Sequence, residues 1–163
     1  MVYIGIDPGL AGGIGVLGHK PVAYPYTSQT LIRILKELRE ENESVKVYVE
    51  EVHSMPQQGV KSMFTFGKGF GMILGILEAL EFKYELVKPQ TWKAFVHVTA
   101  DKKTSVAKAQ KLFPETSLLP TPRCRVPADG LAEALLIAYY GKQSHQSFDN
   151  NLSSRRKKDD EDW

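Results

Sequence analysis

The chain has 163 residues, of which 42% are hydrophobic and 25% are charged. These proportions are typical of one soluble domain with a substantial core. The formal net charge of +2 neither requires nor excludes a nucleic-acid partner. The single cysteine, Cys124, excludes an internal disulfide and a cysteine-based zinc site, so we expect a reducing, intracellular location.

Targeting and membrane segments are not expected. A membrane span needs about 20 successive apolar residues, and no stretch of the sequence is expected to reach that length. A strand-like pattern begins at Val2, which leaves no room for a signal peptide before it. The expected location is therefore the cytoplasm of a bacterium or of a phage-infected cell, or the matrix of an organelle after removal of a presequence.

The first part of the chain predicts an antiparallel meander. Residues 2–7, 13–18 and 21–26 are rich in apolar residues; a turn with Gly9 and Gly12 separates the first two, and His19 and Lys20 separate the last two. Strands joined by such short connections pair with their neighbours in an antiparallel way.

A helix and a fourth strand follow the meander. The apolar spacing from Leu31 to Leu38 predicts an amphipathic helix that begins at Ser28 and ends near Asn42. Residues 45–52 alternate as a strand does. A strand that is reached through a helix after a meander predicts a mixed α/β sheet.

The rest of the chain predicts mostly helices. The expected elements are a helix at 62–81, a strand at 83–88, and helices at 90–96, at about 104–113 and at 127–140. Residues 1–150 are predicted to form one domain. In residues 151–163, four basic residues precede four acidic ones, which predicts a disordered charged tail.

Four acidic residues stand where an α/β fold can bring side chains together. Asp7 ends the first strand, Glu50 lies in the fourth, and Asp129 and Glu133 lie on the last helix. The last two are four residues apart and project from one helical face. Carboxylate oxygens suit Mg²⁺, and two such ions can activate water and stabilise the leaving oxygen in phosphodiester cleavage.

Each acidic residue also has a purely structural interpretation. Asp7 begins an Asp-Pro-Gly turn sequence. Asp129 can complement the N-terminus of its helix, and Glu133 can be a surface residue. Glu50 and Glu51 face opposite sides of a strand whose two faces are both apolar, so the pattern does not choose between them.

Three segments, in this order, resemble the acidic motifs of RuvC-type Holliday junction resolvases: IGIDPGLAGGIGVL, VYVEEVHSMPQQGVKSMFTFGKGFG and ADGLAEALLIAYYG. The resemblance spans residues 2–141 and is closest in pattern to phage and organellar members. It implies an α/β fold, the ribonuclease H-like mixed five-stranded sheet flanked by helices. It also implies a crossover junction endodeoxyribonuclease, a homodimer that makes paired symmetric nicks in four-way DNA junctions.

The resemblance implies a metal site. By position, Asp7, Glu50, Asp129 and Glu133 match the family's acidic ligands, which would hold two Mg²⁺ ions, with Mn²⁺ as a substitute. The match selects Glu50 over Glu51, since the family's acid directly follows the apolar run. The best-known bacterial members space the last pair at three residues, whereas this chain has four, so the match is weakest at Asp129.

The implied basic residues are three lysines. Lys103 matches approximately a position near the scissile phosphate and would assist catalysis, with Lys102 as a competing candidate. Lys93 matches another such position and would contact DNA. An ordinary solvated lysine is the alternative for each.

The implied aromatic contact is less well placed. His53 occupies the position of the aromatic that stacks at the junction in bacterial members. The stacking role can pass to Phe64, Phe66 or Phe70, although aromatics in an apolar helix are more often core residues.

The glycine-containing helix from Phe66 to Leu80 is the candidate dimer surface. Gly67, Gly71 and Gly75 leave one flank without side chains, and packing inside the subunit is the alternative.

Other functions fit parts of the pattern. They are a ribonuclease H-like nuclease that acts on other branched DNA or on RNA-DNA hybrids, a non-catalytic junction-binding module, and an actin-like phosphotransferase. The chain is too short for the two domains that the last usually needs.

Overall fold

The computed structural model describes residues 1–41, 43–51 and 59–161, with side chains as far as Phe148. Five strands form one mixed sheet in the order β3-β2-β1-β4-β5. They are β1 Val2–Asp7, β2 Gly13–Leu17, β3 Val22–Pro25, β4 Val45–Glu50 and β5 Tyr84–Val87. β1, β2 and β3 form the predicted antiparallel meander, and β4 and β5 run parallel to β1. The carboxyl ends of β1 and β4 therefore meet at one edge of the sheet.

The described residues form five helices: α1 Ser28–Glu40, α2 Val60–Ala79, α3 Pro89–Val96, α4 Lys102–Leu112 and α5 Asp129–Glu161. Thr27 caps α1 by accepting a hydrogen bond from the backbone N–H of Thr30 at 3.0 Å. Asp101 caps α4 by accepting one from the N–H of Lys103 at 3.0 Å. Every element that the sequence predicts is present.

The sheet buries both of its faces. On one side, Ile4 and Val49 pack with Ile73 of α2 and with residues of α1. On the other side, Tyr48 packs with Trp92 of α3 and with residues of α4 and α5. Because successive strand residues point to opposite sides, the sheet divides the core into two clusters.

Backbone contact brings α5 against β1 and β2. A methyl group at Gly5 would overlap backbone atoms of Ala134 and Ala138. A Cβ at Gly15 would lie 2.5 Å from the backbone nitrogen of Leu135. Only glycine fits at such separations, so these two strand glycines allow α5 to lie directly on the sheet.

α5 is longer than the predicted helix at 127–140. It begins at Asp129 and continues to Glu161, and so includes residues 151–161, for which the charge pattern predicts disorder. Opposite charges spaced four residues apart, such as Arg155 and Asp159, are compatible with a helix here. The division into a domain and a tail stays a prediction.

α2 exposes most of its surface. Its buried residues are Ile73 and Leu77. A Cβ added at Gly67, Gly71 or Gly75 would have nothing within 4 Å. The alternative in which these glycines pack inside the subunit is therefore wrong for the part of the chain that the structure describes.

The same helix has the length and composition of a membrane span, by those two criteria alone. The expected absence of a membrane segment stays a prediction. Lys68 lies near the middle of the helix, where a charge in a bilayer would be costly.

Candidate functional site

The carboxyl ends of β1 and β4 place Asp7 and Glu50 side by side. Ile6 pairs with Val49, so the residues that follow them stand at the same level of the sheet. Ile6 and Val49 belong to the core on the α1 and α2 side, and the next residue of each strand faces α5. This alternation puts Glu50, rather than Glu51, on the side of α5.

Asp7 is almost fully enclosed, with 9% of its surface exposed. Its Oδ1 accepts a hydrogen bond from the backbone N–H of Gly9 at 3.0 Å, so Asp7 also stabilises the turn after β1. The pKa of Asp7 is raised to about 6, chiefly by burial and in part by the charges of Glu133 and Asp129. The Gly9 hydrogen bond and the charge of Lys102 act in the opposite direction.

Glu50 is held by a residue of α3. Its Oε2 accepts a hydrogen bond from the indole N–H of Trp92 at 2.7 Å. The pKa of Glu50 is raised to about 7, chiefly by burial and in part by the charges of Asp7 and Glu133. Trp92 and Lys93 oppose it.

Asp129 and Glu133 lie in the first turns of α5. Glu133 is only 5% exposed, so it is not a surface residue. Its Oε1 accepts hydrogen bonds from Lys93 Nζ and from the hydroxyl of Ser105, both at 3.1 Å. Asp129 forms an ion pair with Lys102. Burial would raise the pKa of Asp129, but Lys102 holds it below its usual value.

The four carboxylates form one electrostatic cluster. The charges of Glu133 and Asp129 add to the effect of burial on the pKa of Asp7, and the charges of Asp7 and Glu133 do the same for Glu50. Among the described residues, however, no three Asp, Glu, His or Cys side chains lie in a group ready to hold a metal ion. The donor chemistry still fits Mg²⁺, because all four groups offer carboxylate oxygens. Burial is the main cause of the raised pKa values of Asp7 and Glu50, and a divalent cation beside them would favour the ionised carboxylates.

The predicted lysines lie around this cluster. Lys93 contacts Glu133, and Lys102 contacts Asp129. Lys103 is exposed in the first turn of α4, where it lines a cavity of about 330 Å³ together with Lys102 and Asp129. The structure thus brings Lys102 closer to the carboxylates than Lys103.

The predicted aromatic residues lie on α2, outside the carboxylate cluster. Phe64 is 74% exposed, which contradicts a core role. Phe66 is half-buried and lines a cleft with Leu10, the residue that follows the Asp-Pro-Gly turn. Phe70 packs partly against the core, and His53 lies outside the described residues.

Sequence reasoning missed two donors at this site. Trp92 holds Glu50, and Ser105 holds Glu133. Ser105 is fully buried on the same face of α4 as Ala109. A serine that shares an apolar helical face was a usable signal, because a buried hydroxyl needs a partner.

A mixed five-stranded sheet in this order, with helices on both faces, is the ribonuclease H-like architecture and confirms the predicted fold class. Two solved structures of RuvC from Thermus thermophilus share it. The one in complex with a Holliday junction substrate is 20% identical with a TM-score of 0.56, and the match covers 86% of this chain and 91% of that chain. A second Thermus thermophilus RuvC structure is 20% identical with a TM-score of 0.52, and covers 86% and 92%.

These likenesses show the fold. They agree with the resemblance that the acidic motifs carry. No protein-family profile and no curated protein sequence matches the chain significantly.

Proposed function

We propose that the chain is a metal-dependent endonuclease that resolves four-way DNA junctions inside a bacterium, a phage-infected cell or an organelle. The observation that carries the proposal is the cluster of four carboxylates from β1, β4 and α5, in which Asp7 and Glu50 have raised pKa values. Such groups are common at catalytic sites. The fold shared with RuvC, one structure of which is bound to a Holliday junction substrate, supports this substrate class.

Asp7, Glu50, Asp129 and Glu133 would hold two Mg²⁺ ions, or Mn²⁺ in their place. Bound there, the metal would supply an activated water and stabilise the departing 3′ oxygen. The protein's own contribution is to hold the carboxylates out of bulk water, through the burial of Asp7 and Glu133.

The lysines would change partners when DNA binds. In the structure, Lys102 neutralises Asp129, and Lys93 neutralises Glu133. Once a metal ion supplies that charge, their ammonium groups are free to meet phosphate oxygens. Lys103, which is exposed beside Lys102, would face the scissile phosphate and neutralise charge in the transition state.

The exposed part of α2 would contact DNA and a second subunit. Phe64 and Phe66 lie toward its N-terminal end, where an exposed ring can stack on an unpaired base. His53, which precedes this helix, is a further candidate contact outside the described residues. A second copy would cover the open glycine flank and the adjoining apolar groove between α1 and α2, lined by Ile32, Met72, Gly75, Ile76, Ala79 and Leu80.

Two such subunits related by a two-fold axis would present two sites to the two related phosphates of a junction. This arrangement accounts for the paired symmetric nicks that the motif resemblance implies.

The test is cleavage of four-way junctions, three-way junctions, RNA-DNA hybrids and linear duplexes side by side in Mg²⁺. We expect preference for four-way junctions and loss of cleavage by at least a hundredfold in Asp7→Asn and Glu50→Gln. Glu51→Gln is the matched control, because it changes the neighbouring acid on the other side of β4, and it should cut normally. Preference for hybrids would identify a different ribonuclease H-like nuclease, and binding without cleavage would identify a junction-binding module.

The same assay separates the lysines. We expect Lys103→Gln to lower the cleavage rate at saturating Mg²⁺ by at least tenfold, because it removes a charge beside the phosphate. Lys111→Gln, near the other end of α4, should have no effect. If Lys102→Gln shows the loss and Lys103→Gln does not, the catalytic role belongs to Lys102.

A further inference from the structure

The short helix α3 holds Glu50 through an uncharged donor. Trp92 is fully buried, and its indole Nε1–H lies 2.7 Å from Oε2 of Glu50. Lys93 Nζ lies 5.1 Å from the centre of the Trp92 ring. The same ammonium group donates a hydrogen bond to Glu133. Core packing and the ammonium group of Lys93 therefore both hold the indole in position.

An indole and a lysine can both donate a hydrogen bond to a carboxylate, but only the lysine also adds a positive charge. The indole group donates one hydrogen bond and accepts none, so it fixes one carboxylate oxygen. It adds no positive charge, and the negative charge of Glu50 remains available to a cation. Lys93, in contrast, adds a formal positive charge where it contacts Glu133. A neutral donor thus orients a ligand without competing with the metal for its charge.

We propose that Trp92 is a positioning residue that presents the free oxygen of Glu50 to a metal ion and that its indole senses occupation of the site. This rests on the proposed function, since Glu50 is there assigned as a metal ligand. Trp92 touches the ligand and acts through it.

Two tryptophans occur in the chain, Trp92 and Trp163. The variant Trp163→Phe therefore retains one tryptophan, Trp92, which donates a hydrogen bond to Glu50 and can be excited selectively over the tyrosines. Titration of this metal-free variant with Mg²⁺, without DNA, should give a saturable change in emission. Glu50→Gln in the same background should abolish that change.

Substitution of the indole separates the hydrogen bond from packing. Trp92→Phe keeps a ring and loses the donor, and benzothienylalanine at position 92 replaces the N–H by sulfur at nearly the same volume. We expect either change to raise the Mg²⁺ concentration for half-maximal cleavage by about ten- to a hundredfold, with recovery of the rate at high Mg²⁺. Val96→Ala is the control. Val96 is buried on the same helix, so its replacement by alanine creates a cavity there without removing a hydrogen-bond donor.

The outcomes distinguish this inference from the proposed function. Trp92 has no positioning role if the wild type cuts junctions but two results are negative. These are an emission that does not change with Mg²⁺ and a Mg²⁺ requirement that benzothienylalanine leaves unchanged. A saturable change in emission that depends on Glu50, in a protein that cuts no nucleic acid, would support the role of Trp92 and refute the nuclease. If Val96→Ala shifts the Mg²⁺ requirement as far as the indole variants do, packing explains the effect and the proposal falls.

Discussion

Asp7 shows what the candidate site costs the fold. Burial moves its pKa from 3.8 to about 6, which corresponds to about 3 kcal/mol at most when the group is ionised. The folded protein binds this proton more tightly than the unfolded chain does. The stability contribution is therefore present at low pH, falls as the pH rises from about 4 through about 6, and stays low above that range. A cation bound beside Asp7 would offset the loss.

Asp7→Asn should therefore make the metal-free protein more stable at pH 8 while it abolishes cleavage. The amide cannot ionise, so it removes the cost of a buried charge and a ligand at the same time. We expect an increase of about 1–3 kcal/mol in the free energy of unfolding at pH 8, measured by urea denaturation in EDTA, and little change at pH 4.

Glu115→Gln is the control for this measurement, because Glu115 is exposed in the segment between α4 and α5. Its stability profile should follow that of the wild type. If Asp7→Asn lowers stability at pH 8, the hydrogen bond from Gly9 to the carboxylate stabilises the fold by more than the buried charge destabilises it.

At the scale of elements, the contact between α5 and the sheet decides whether the carboxylates meet. Gly5 and Gly15 leave room for the helix backbone, and the first turns of α5 then carry Asp129 and Glu133 toward the end of β1. Side chains of ordinary size at those two glycines would lift the helix away from the sheet.

Gly5→Ala should destabilise the protein, since the added methyl overlaps the backbone of α5 and cannot be relieved by a side-chain rotation. We expect a loss of about 1–3 kcal/mol in the free energy of unfolding by denaturant titration. Gly69→Ala is the matched control, because nothing lies within 4 Å of its Cβ. Alanine there should raise stability by up to about 1 kcal/mol. Equal stability of Gly5→Ala and the wild type would contradict the backbone contact.

The sequence predicts these elements well and their side-chain partners poorly. Alternation and helical spacing depend on local residues, so β1 and α1 could be placed from the pattern alone. The face of Glu50 depends on which side α5 covers, and two apolar faces conceal it. The pattern can mark Ser105 as a buried hydroxyl, but it does not identify the acceptors of Trp92 and Ser105, because these lie on other elements. The length of α5 was underestimated since the pattern loses its apolar face after about Tyr140.

At the scale of the whole molecule, α2 presents an unpartnered flank. Gly67, Gly71 and Gly75 recur every four residues on one side of this exposed helix. Met72 is 47% exposed beside them. A second copy of the chain would bury this surface and set two carboxylate clusters in fixed relation to each other.

Gly71→Arg should prevent this association, because a long charged side chain would enter the interface. We expect dimers in the wild type and monomers in the variant by sedimentation equilibrium at micromolar concentration. On a plasmid that extrudes a cruciform, the variant should yield nicked circles, where the wild type yields linear DNA from paired cuts.

Gly69→Arg is the control for this experiment. Gly69 is two positions away and so lies on the other flank of the helix, and its variant should remain dimeric. A wild-type protein that stays monomeric both alone and on junction DNA would overturn the dimer.

The contact of α5 with β1 has a consequence for synthesis of the protein. Asp7 precedes Glu133 by more than 120 positions, so it is synthesised well before Glu133. The sheet can begin to form during translation, but its α5 side remains uncovered until α5 leaves the ribosome. A chain that terminates before α5 therefore carries Asp7 and Glu50 without Asp129 and Glu133, and under the proposed function it should not cut DNA.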